Sequence, residues 1–347
     1  MNVIIDTDPG LGEPGSDIDD GLAIALALRS PELNVLGLTI VNGNVDAPTG
    51  VDVARRLTAR LGRPELPVLL GASEPLHRTM AAVQEMFAAG LPNSARVPRE
   101  PSQRLGPTHD QPAHDWMTDA IAHAPGTITV IAIGPMTNVA LAIQSDPSFA
   151  ANVRELVLMA GSATTYAQNL TVVGDFNAFV DPDALDIVIR SGARVRMVGL
   201  DQTSQVILTR TDVDQLNAIN HAAENPDQFT TWAAQCAKAW IDFLGQAFPS
   251  RPEHRDGCFL HDPLVIAATI DPTLCRWEDA HVQVETVSDL ARGLVVADRG
   301  LALQPMGPPN ASVATETDVE RFRTFFLSRI STSAQPATPA PSSVNAQ

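Results

Sequence analysis

The beginning of the chain decides the predicted fold: residues 2–28 read NVIIDTDPGLGEPGSDIDDGLAIALAL. The apolar run Val3–Ile5 predicts a short buried strand, and the spacing of apolar residues in Ile18–Leu28 predicts a helix. A strand that leads into a helix is the first unit of an open α/β sheet. In such sheets ligands bind where the strands end.

Acidic residues are concentrated at this point, at the end of the strand and at the beginning of the helix: Asp6, Asp8, Asp19 and Asp20. Because like charges repel strongly in a partly dry cleft, we expect a cation among them. Oxygen ligands alone favour a hard cation such as Ca²⁺ or Mg²⁺. A simpler alternative is that Asp17 or Asp19 caps the helix and that Asp6 serves a turn, which explains single residues better than the set.

Composition and charge narrow the class of protein. The chain has 347 residues, of which 44% are hydrophobic, and its net charge of −17 argues against a nucleic-acid backbone or an anionic membrane as partner. Cys236, Cys258 and Cys275 are odd in number and lack metal-ligand spacing, which favours a reducing compartment and predicts a cytoplasmic location. No apolar run reaches the length of a membrane span.

Strand-like and helix-like segments alternate along the rest of the chain. The further strands are predicted at Val35–Ile40, Pro67–Leu70, Ile128–Ile133, Leu156–Met159 and Val195–Val198, followed by an antiparallel pair at Val282–Val287 and Gly293–Ala297. We therefore predict an α/β fold for residues 1–330: a single domain with a doubly wound, mostly parallel sheet and a small antiparallel addition near the C-terminus. The segment 331–347 is rich in Pro, Ala and Ser and is predicted to be disordered.

Polar segments follow four of the predicted strands and should meet at the same edge of the sheet: Asn42–Asn44, Gly134–Asn138, Asn169–Asn177 and His261–Asp262. Each has a local alternative, such as a turn, a helix start or an N-cap. Taken together they predict a cleft of acids and amides around one cation, which suits a polyhydroxylated ligand such as a sugar. The chain has no Walker A sequence, so nucleotide phosphates are not the expected ligand.

The motifs in their order resemble the inosine–uridine preferring nucleoside hydrolase family: D-T-D-P-G, D-D-G-L-A, G-N, G-P-M-T-N, N-x-T-x-x-G-D-F-N and H-D-P, across residues 2–330. The resemblance implies a Rossmann-like nucleoside hydrolase fold and a tightly bound Ca²⁺. It implies hydrolysis of the N-glycosidic bond of ribonucleosides to ribose and free base. It also implies a small-molecule nucleoside as partner and assembly into a homodimer or homotetramer.

Carried over motif by motif, the resemblance implies a role for each polar residue. Ca²⁺ would be held by Asp8, Asp20, Asp262 and the backbone carbonyl of Ile133, with Asp6 in support. The ribose 2′-hydroxyl would bind Asp19, and the other hydroxyls and the water would contact Asn44 and Asn177. The 5′-hydroxyl would be reached by Asn169 and Asp175, and the leaving base would lie beside His261. Asp8 would be the general base towards a metal-activated water, with an oxocarbenium-like sugar and no covalent intermediate.

The chain departs from the family pattern in three places. The insertion Leu11–Ile18 separates D-P-G from D-D and makes Asp17 a rival of Asp19 for the ribose. Asp175 stands where the family has Glu, and the long loop after the third strand has Glu85–Gly90 in place of a base-contacting His-Gly pair. The base preference, purine or pyrimidine, therefore stays open.

Two alternatives compete with an active hydrolase. One is a non-catalytic, Ca²⁺-dependent nucleoside- or sugar-binding protein, from which turnover on nucleosides would distinguish it. The other is a phosphatase of the haloacid dehalogenase type, suggested by the D-x-D at the end of the first strand. That type needs a lysine near the phosphate, and the single lysine of this chain, Lys238, lies far along in a helical stretch.

Overall fold

The computed structural model describes residues 1–81, 83, 110–165, 169 and 171–331. Two features predicted from the sequence therefore lie outside the described residues: the segment Glu85–Gly90 and, apart from residue 331, the predicted disordered tail. Within the described ranges, no helix combines the length and the apolar character needed to cross a membrane.

The core of the described structure is a nine-stranded sheet, with a separate two-stranded sheet beside it. The strands in chain order are β1 (Asn2–Thr7), β2 (Asn34–Ile40), β3 (Val68–Leu70), β4 (Ile128–Ala132), β5 (Glu155–Met159), β6 (Val195–Val198), β7 (Ile207–Thr209), β8 (Gly257–Phe259), β9 (Cys275–Val284), β10 (Val295–Asp298) and β11 (Ala311–Thr317). The large sheet has the order β10-β9-β11-β6-β5-β4-β1-β2-β3, and β7 pairs with β8. From β11 to β3 all neighbours are parallel, whereas β9 is antiparallel to both β10 and β11.

Helices cover both faces of this sheet. They are α1 (Asp19–Leu28), α2 (Ala47–Arg60), α3 (Ala113–His123), α4 (Thr137–Ser145), α5 (Phe149–Asn152), α6 (Phe176–Val180), α7 (Pro182–Arg190), α8 (Leu200–Thr203), α9 (Arg210–Ala222), α10 (Gln228–Ala247), α11 (His261–Ile270) and α12 (Val319–Ile330). One apolar core holds side chains of α1, α2, α10, α11 and α12, and a second core holds those of α3, α4 and α7. Strands buried on both sides explain the nearly continuous apolar runs in the sequence.

The sheet changes direction of growth between β1 and β4. From β1 the chain adds β2 and β3 on one side, and then returns to add β4, β5 and β6 on the other side. Ile5 pairs with Ile131 and Asp6 with Ala132, so the carboxyl ends of β1 and β4 lie side by side. A crevice at such a switch point is where ligands bind in doubly wound sheets. The predicted fold class is confirmed, including the antiparallel addition near the C-terminus.

Several elements differ from the sequence prediction. The strand expected at Val282–Val287 is β9, which begins at Cys275 and ends at Val284. It pairs antiparallel with the next strand as predicted, but that strand, β10, spans Val295–Asp298 instead of Gly293–Ala297. The sequence did not reveal β11, which inserts between β9 and β6, because its residues A-S-V-A-T-E-T are largely small or polar and become a strand through their neighbours. Helix α11 begins at His261, so Asp262 lies in its first turn and Leu260 is the N-cap residue.

Candidate active site

Asp8 follows β1 directly and is almost fully buried. Its Oδ2 accepts a hydrogen bond from the backbone N–H of Asn44 at 2.7 Å, and its own backbone N–H donates to Oδ1 of Asp20 at 3.2 Å. Two glycines make room for the carboxylate. A Cβ on Gly43 would lie 1.9 Å from Oδ2 of Asp8, and one on Gly134 would lie 2.7 Å from Oδ1. The end of β1 and the turns after β2 and β4 therefore enclose Asp8.

Three further carboxylates meet beside Asp8. Oxygen atoms of Asp19, Asp20 and Asp262 all lie within 4.8 Å of one another, and all three residues are buried. Asp19 and Asp20 form the first turn of α1, and the backbone N–H of Asp262, in the first turn of α11, donates to Oδ2 of Asp19 at 3.3 Å. Because α1 packs against α11, residues far apart in the sequence supply one cluster.

Burial and mutual repulsion disfavour negative charge in this cluster. Burial raises the pKa of Asp8, Asp19 and Asp262 well above the usual range, and each is raised further by the neighbouring carboxylates. Burial also raises the pKa of Asp20. Among the residues that the structure describes, no arginine or lysine forms an ion pair with any of the four. Since buried charge is costly without a partner, this all-oxygen cluster could bind a metal ion.

Asp6 lies beneath the cluster, within β1. Its Oδ1 accepts hydrogen bonds from Oγ1 of Thr39 at 2.5 Å and from Nδ2 of Asn138 at 2.8 Å, whereas its Oδ2 is buried without a hydrogen-bond partner. Burial raises the pKa of Asp6 to about 7. Asn138 also accepts from the backbone N–H of Ala72 at 2.8 Å, so it fixes Asp6 relative to the segment after β3.

The inserted segment 11–18 packs onto the helices beside the cluster. Leu11 is fully buried, and Oε1 of Glu13 lies 2.5 Å from Nη2 of Arg56 in α2, both side chains being buried. Oδ1 of Asp17 accepts from the backbone N–H of Ile18 at 2.6 Å. The three-carboxylate group contains Asp19, the residue that the motif favoured over Asp17.

Amide side chains hold the polar groups around the carboxylates. Nδ2 of Asn44 donates to Oδ2 of Asp20 at 2.9 Å. Nδ2 of Asn177 donates to the backbone carbonyls of Ile133 at 2.8 Å and Met159 at 3.0 Å, so that it joins the ends of β4 and β5. The structure thus places Asn44, Asn177 and the Ile133 carbonyl at the carboxyl edge of the sheet.

The resemblance implies that Asn169 and Asp175 reach the substrate's 5′-hydroxyl, and the structure places these two residues in different environments. Asp175 is the N-cap residue of α6 and only 2% exposed. Its Oδ2 accepts from the backbone N–H of Gly161 at 2.5 Å, and its Oδ1 accepts from that of Ala178 at 3.2 Å. Burial raises the pKa of Asp175 to about 6. Asn169 is exposed, in the loop that precedes α6.

His261 begins α11 next to Asp262, and a neighbouring hydroxyl fixes its ring. Its Nδ1 lies 2.8 Å from Oγ1 of Thr203, and its ring centroid lies 5.2 Å from that of Phe259. Burial, together with a smaller effect of the nearby His254, lowers the pKa of His261 to about 4. The imidazole is therefore neutral at neutral pH and can assist a reaction by hydrogen bonding.

The comparisons with known proteins agree with this geometry. The family model for inosine-uridine preferring nucleoside hydrolases matches residues 3–324. The chain belongs to this family. It is therefore a nucleoside hydrolase, an enzyme that hydrolyses N-glycosyl bonds.

Individual relatives of this nucleoside hydrolase carry different names. A probable uridine nucleosidase 1 from Oryza sativa subsp. japonica is 35% identical over 301 residues, which are 86% of this chain and 85% of the relative. A pyrimidine-specific ribonucleoside hydrolase RihA from Shewanella sp. (strain MR-4) is 34% identical over 92% of this chain and 93% of its own. The solved purine-preferring ribonucleoside hydrolase from Gardnerella vaginalis superimposes with a TM-score of 0.80 at 32% identity, covering 97% of this chain and 100% of that one.

Some residues around the nucleoside hydrolase site were not found from the sequence. Thr39 lies inside β2 and Thr203 in the four-residue helix α8, and neither belongs to a motif. Asn138 stands at the end of G-P-M-T-N, but that segment was interpreted only as a group of polar residues at the sheet edge. Each contacts a site residue distant in sequence, so no local signal marks it.

Proposed function

We propose that this nucleoside hydrolase cleaves the N-glycosidic bond of ribonucleosides with Ca²⁺ bound in the carboxylate cluster, releasing ribose and free base. The observation that carries the proposal is the meeting of four buried carboxylates, Asp8, Asp19, Asp20 and Asp262, at the β1–β4 switch point. A site so rich in oxygen and so poor in positive charge suits a divalent cation and the hydroxyl groups of a sugar.

The donor set fits a calcium ion. Asp8, Asp20, Asp262 and the carbonyl of Ile133 are the proposed ligands, and all are oxygen donors on four different elements or their ends. Ca²⁺ accepts more ligands and a looser geometry than Mg²⁺, which favours it where ligands come from distant segments. Asp6, whose Oδ2 is buried without a hydrogen-bond partner, lies close enough to Asp8 to raise the pKa of that carboxyl. When bound, the cation supplies charge stabilisation and lowers the pKa of a water molecule.

Each side chain of the site has its own role in the proposed reaction. Asp8, held by the Asn44 backbone, accepts the proton of the attacking water as general base. Asp19 accepts from the ribose 2′-hydroxyl, while the amides of Asn44 and Asn177 orient the water and the ribose hydroxyls. The surrounding carboxylates stabilise the positive charge that develops on the sugar ring. Asn169 extends this contact towards the 5′ end of the substrate.

His261 is the proposed partner of the leaving base. The ring is neutral and its Nδ1 is engaged by Thr203, so Nε2 is the ring nitrogen that we propose for the contact with the base. The curated relatives at 34–35% identity are named for uridine and pyrimidine substrates, so we propose pyrimidine ribonucleosides as the first class to test. We further propose a role in ribonucleoside catabolism and salvage, a cytoplasmic location, and a homodimer or homotetramer. All three cysteines being free fits the proposed location.

The decisive experiment measures turnover. Purified protein with added Ca²⁺ is incubated with uridine, cytidine, inosine and 2′-deoxyuridine; reducing sugar and free base are quantified separately. We expect equal amounts of ribose and base, and a preference of ~100-fold or more for uridine over 2′-deoxyuridine, because buried polar groups lose their partner. Asp8→Asn should lower kcat by ~1000-fold, and the exposed Asp279→Asn serves as control. Binding of nucleosides without release of ribose would favour the non-catalytic alternative.

A further inference from the structure

We propose that Asp175 is a positioning residue that fixes helix α6 and thereby Asn177, and that it does not bind the substrate's 5′-hydroxyl. This inference rests on the proposed function, since it assigns a role within that site. It differs from the role that the family resemblance implies for this position, and it follows from what the carboxylate contacts in this chain.

Both oxygen atoms of the Asp175 carboxylate are already engaged by backbone groups. Oδ2 accepts from Gly161, directly beyond β5, and Oδ1 accepts from Ala178 inside α6. The residue is 2% exposed, so these two hydrogen bonds are buried. An aspartate that accepts from the backbone N–H three residues later is a typical helix N-cap. The carboxylate therefore ties the end of a central strand to the first turn of α6.

The position of α6 matters because Asn177 lies in its first turn. Nδ2 of Asn177 donates to the carbonyls of Ile133 and Met159, and Ile133 contributes a proposed metal ligand. Helix α6 has only five residues, so its cap is a large part of what holds it. Without the cap, Asn177 would lose its fixed relation to β4 and β5, and the Ile133 carbonyl would lose an orienting hydrogen bond.

Close packing opposes a shift of the backbone before Asp175 that would bring the carboxylate into the cleft. A Cβ on Gly174 would lie 2.7 Å from the carbonyl oxygen of Arg292 and 3.0 Å from atoms of Gly293, so this segment is closely packed against the loop before β10. Arg292 in turn donates from Nε to the carbonyl of Phe179 at 2.6 Å, which holds the same loop onto α6. Glu, which is longer and a poor N-cap residue, would not reproduce these contacts.

The test compares Asp175→Ala, Asp175→Asn and Asp175→Glu, with kcat/KM measured for uridine and for 5′-deoxyuridine. A positioning role predicts that Asp175→Ala lowers kcat/KM for both substrates by the same factor, ~10–100-fold, as loss of an outer partner does. The ratio between the two substrates should stay within about twofold of the wild-type ratio. Asp175→Asn keeps one acceptor oxygen, so it can still cap α6 but cannot accept from both N–H groups. Its kcat/KM should fall less than that of Asp175→Ala and by the same factor for both substrates, and Asp175→Glu should behave like Asp175→Ala.

A matched control is Asp318, the N-cap residue of α12, which accepts from the backbone N–H of Arg321 at 3.1 Å and is not part of the site. At both positions the Ala variant should melt about 2–4 °C below the Asn variant, but only Asp175→Ala should lose activity. The inference would be overturned if Asp175→Ala hydrolysed uridine and 5′-deoxyuridine with nearly equal kcat/KM while its kcat/KM for 5′-deoxyuridine stayed at the wild-type value. That result would show that Asp175 binds the 5′-hydroxyl.

Two further outcomes separate the possible failures. If Asp175→Ala does not fold, a loss of activity in Asp175→Asn beyond about tenfold for uridine alone would also refute the positioning role. If the wild type hydrolyses no nucleoside, the proposed function fails. The melting temperatures then still test whether Asp175 caps α6. Equal melting temperatures for Asp175→Ala and Asp175→Asn would show that the carboxylate does not hold α6.

Discussion

Asn44 holds Asp8 through its backbone: the N–H of Asn44 lies 2.7 Å from Oδ2 of Asp8. The side chain of the same residue donates to Asp20, so one residue connects the proposed base to a proposed metal ligand. This arrangement needs a backbone that approaches the carboxylate closely, and the preceding residue is Gly43. Any side chain at position 43 would occupy the place of the Asp8 carboxylate.

Gly43→Ala should therefore lower kcat/KM for uridine by ~100-fold or more, because a displacement of about 1 Å at the base has effects of this size. Gly245→Ala in α10 is the control, since a Cβ there would be no closer than 3.4 Å to another residue. We expect the control to keep its activity. Wild-type kinetics in Gly43→Ala would show that Asp8 does not need its observed position.

Calcium should stabilise the folded chain through the carboxylate cluster. At a free Ca²⁺ concentration about 100 times Kd, the free energy of unfolding should rise by about 2.7 kcal/mol relative to chelator-treated protein. Asp20→Asn should abolish most of this gain, whereas the exposed Asp279→Asn should retain it. Thermal unfolding with and without chelator measures the effect. A metal-stripped protein with full activity and no response to Ca²⁺ would contradict the proposed site.

Thr203 should act on the leaving base through the ring of His261. Thr203→Val keeps the side-chain shape but removes the hydroxyl at 2.8 Å, and we expect kcat/KM for uridine to fall ~10-fold. Thr203→Ser should restore most of the activity. With 4-nitrophenyl riboside, whose leaving group needs little assistance, Thr203→Val should approach wild-type rates. Equal losses for both substrates would point to a general structural defect instead.

The buried pair of Glu13 and Arg56 should hold the inserted segment in place. Arg56→Met leaves Glu13 without this partner in a buried position, and the free energy of unfolding should fall by about 3 kcal/mol. The double variant with Glu13→Gln should recover part of the loss. Arg63→Met, which removes the more exposed pair with Glu65, should cost less than about 1 kcal/mol. Urea unfolding of all four proteins provides the comparison.

The stability of the chain should fall as pH rises through the range in which Asp175 titrates. Burial raises its pKa from 3.8 to about 6, so the folded chain binds this proton at pH values where the unfolded chain has released it. The contribution of this group is therefore lost between about pH 4 and pH 6, by up to about 3 kcal/mol. Asp175→Asn has no titrating group and should show a flatter pH dependence. Identical pH profiles of wild type and variant would exclude the shift.

Local patterns were enough to predict most of the elements that carry the site. The strands β1, β2, β4 and β5 are continuous apolar runs, and the polar motifs begin where these runs end. Because carboxyl ends of parallel strands meet at one edge, the sequence also predicted that Asp8, Asn44, Asn177 and Asp262 would share one crevice. The strand β11 escaped prediction because its place between β6 and β9 depends on two distant partners.

By itself, the sequence determined the fold class, the family and the presence of an acidic, amide-lined crevice, because helix and strand periodicity and short motifs are properties of neighbouring residues. Tertiary structure alone decided that the backbone N–H of Asp262 contacts Asp19 across 243 positions, that Thr203 contacts His261 across 58 positions, and that backbone N–H groups engage both oxygens of Asp175. These relationships join segments that only packing brings together, and burial then sets their charges.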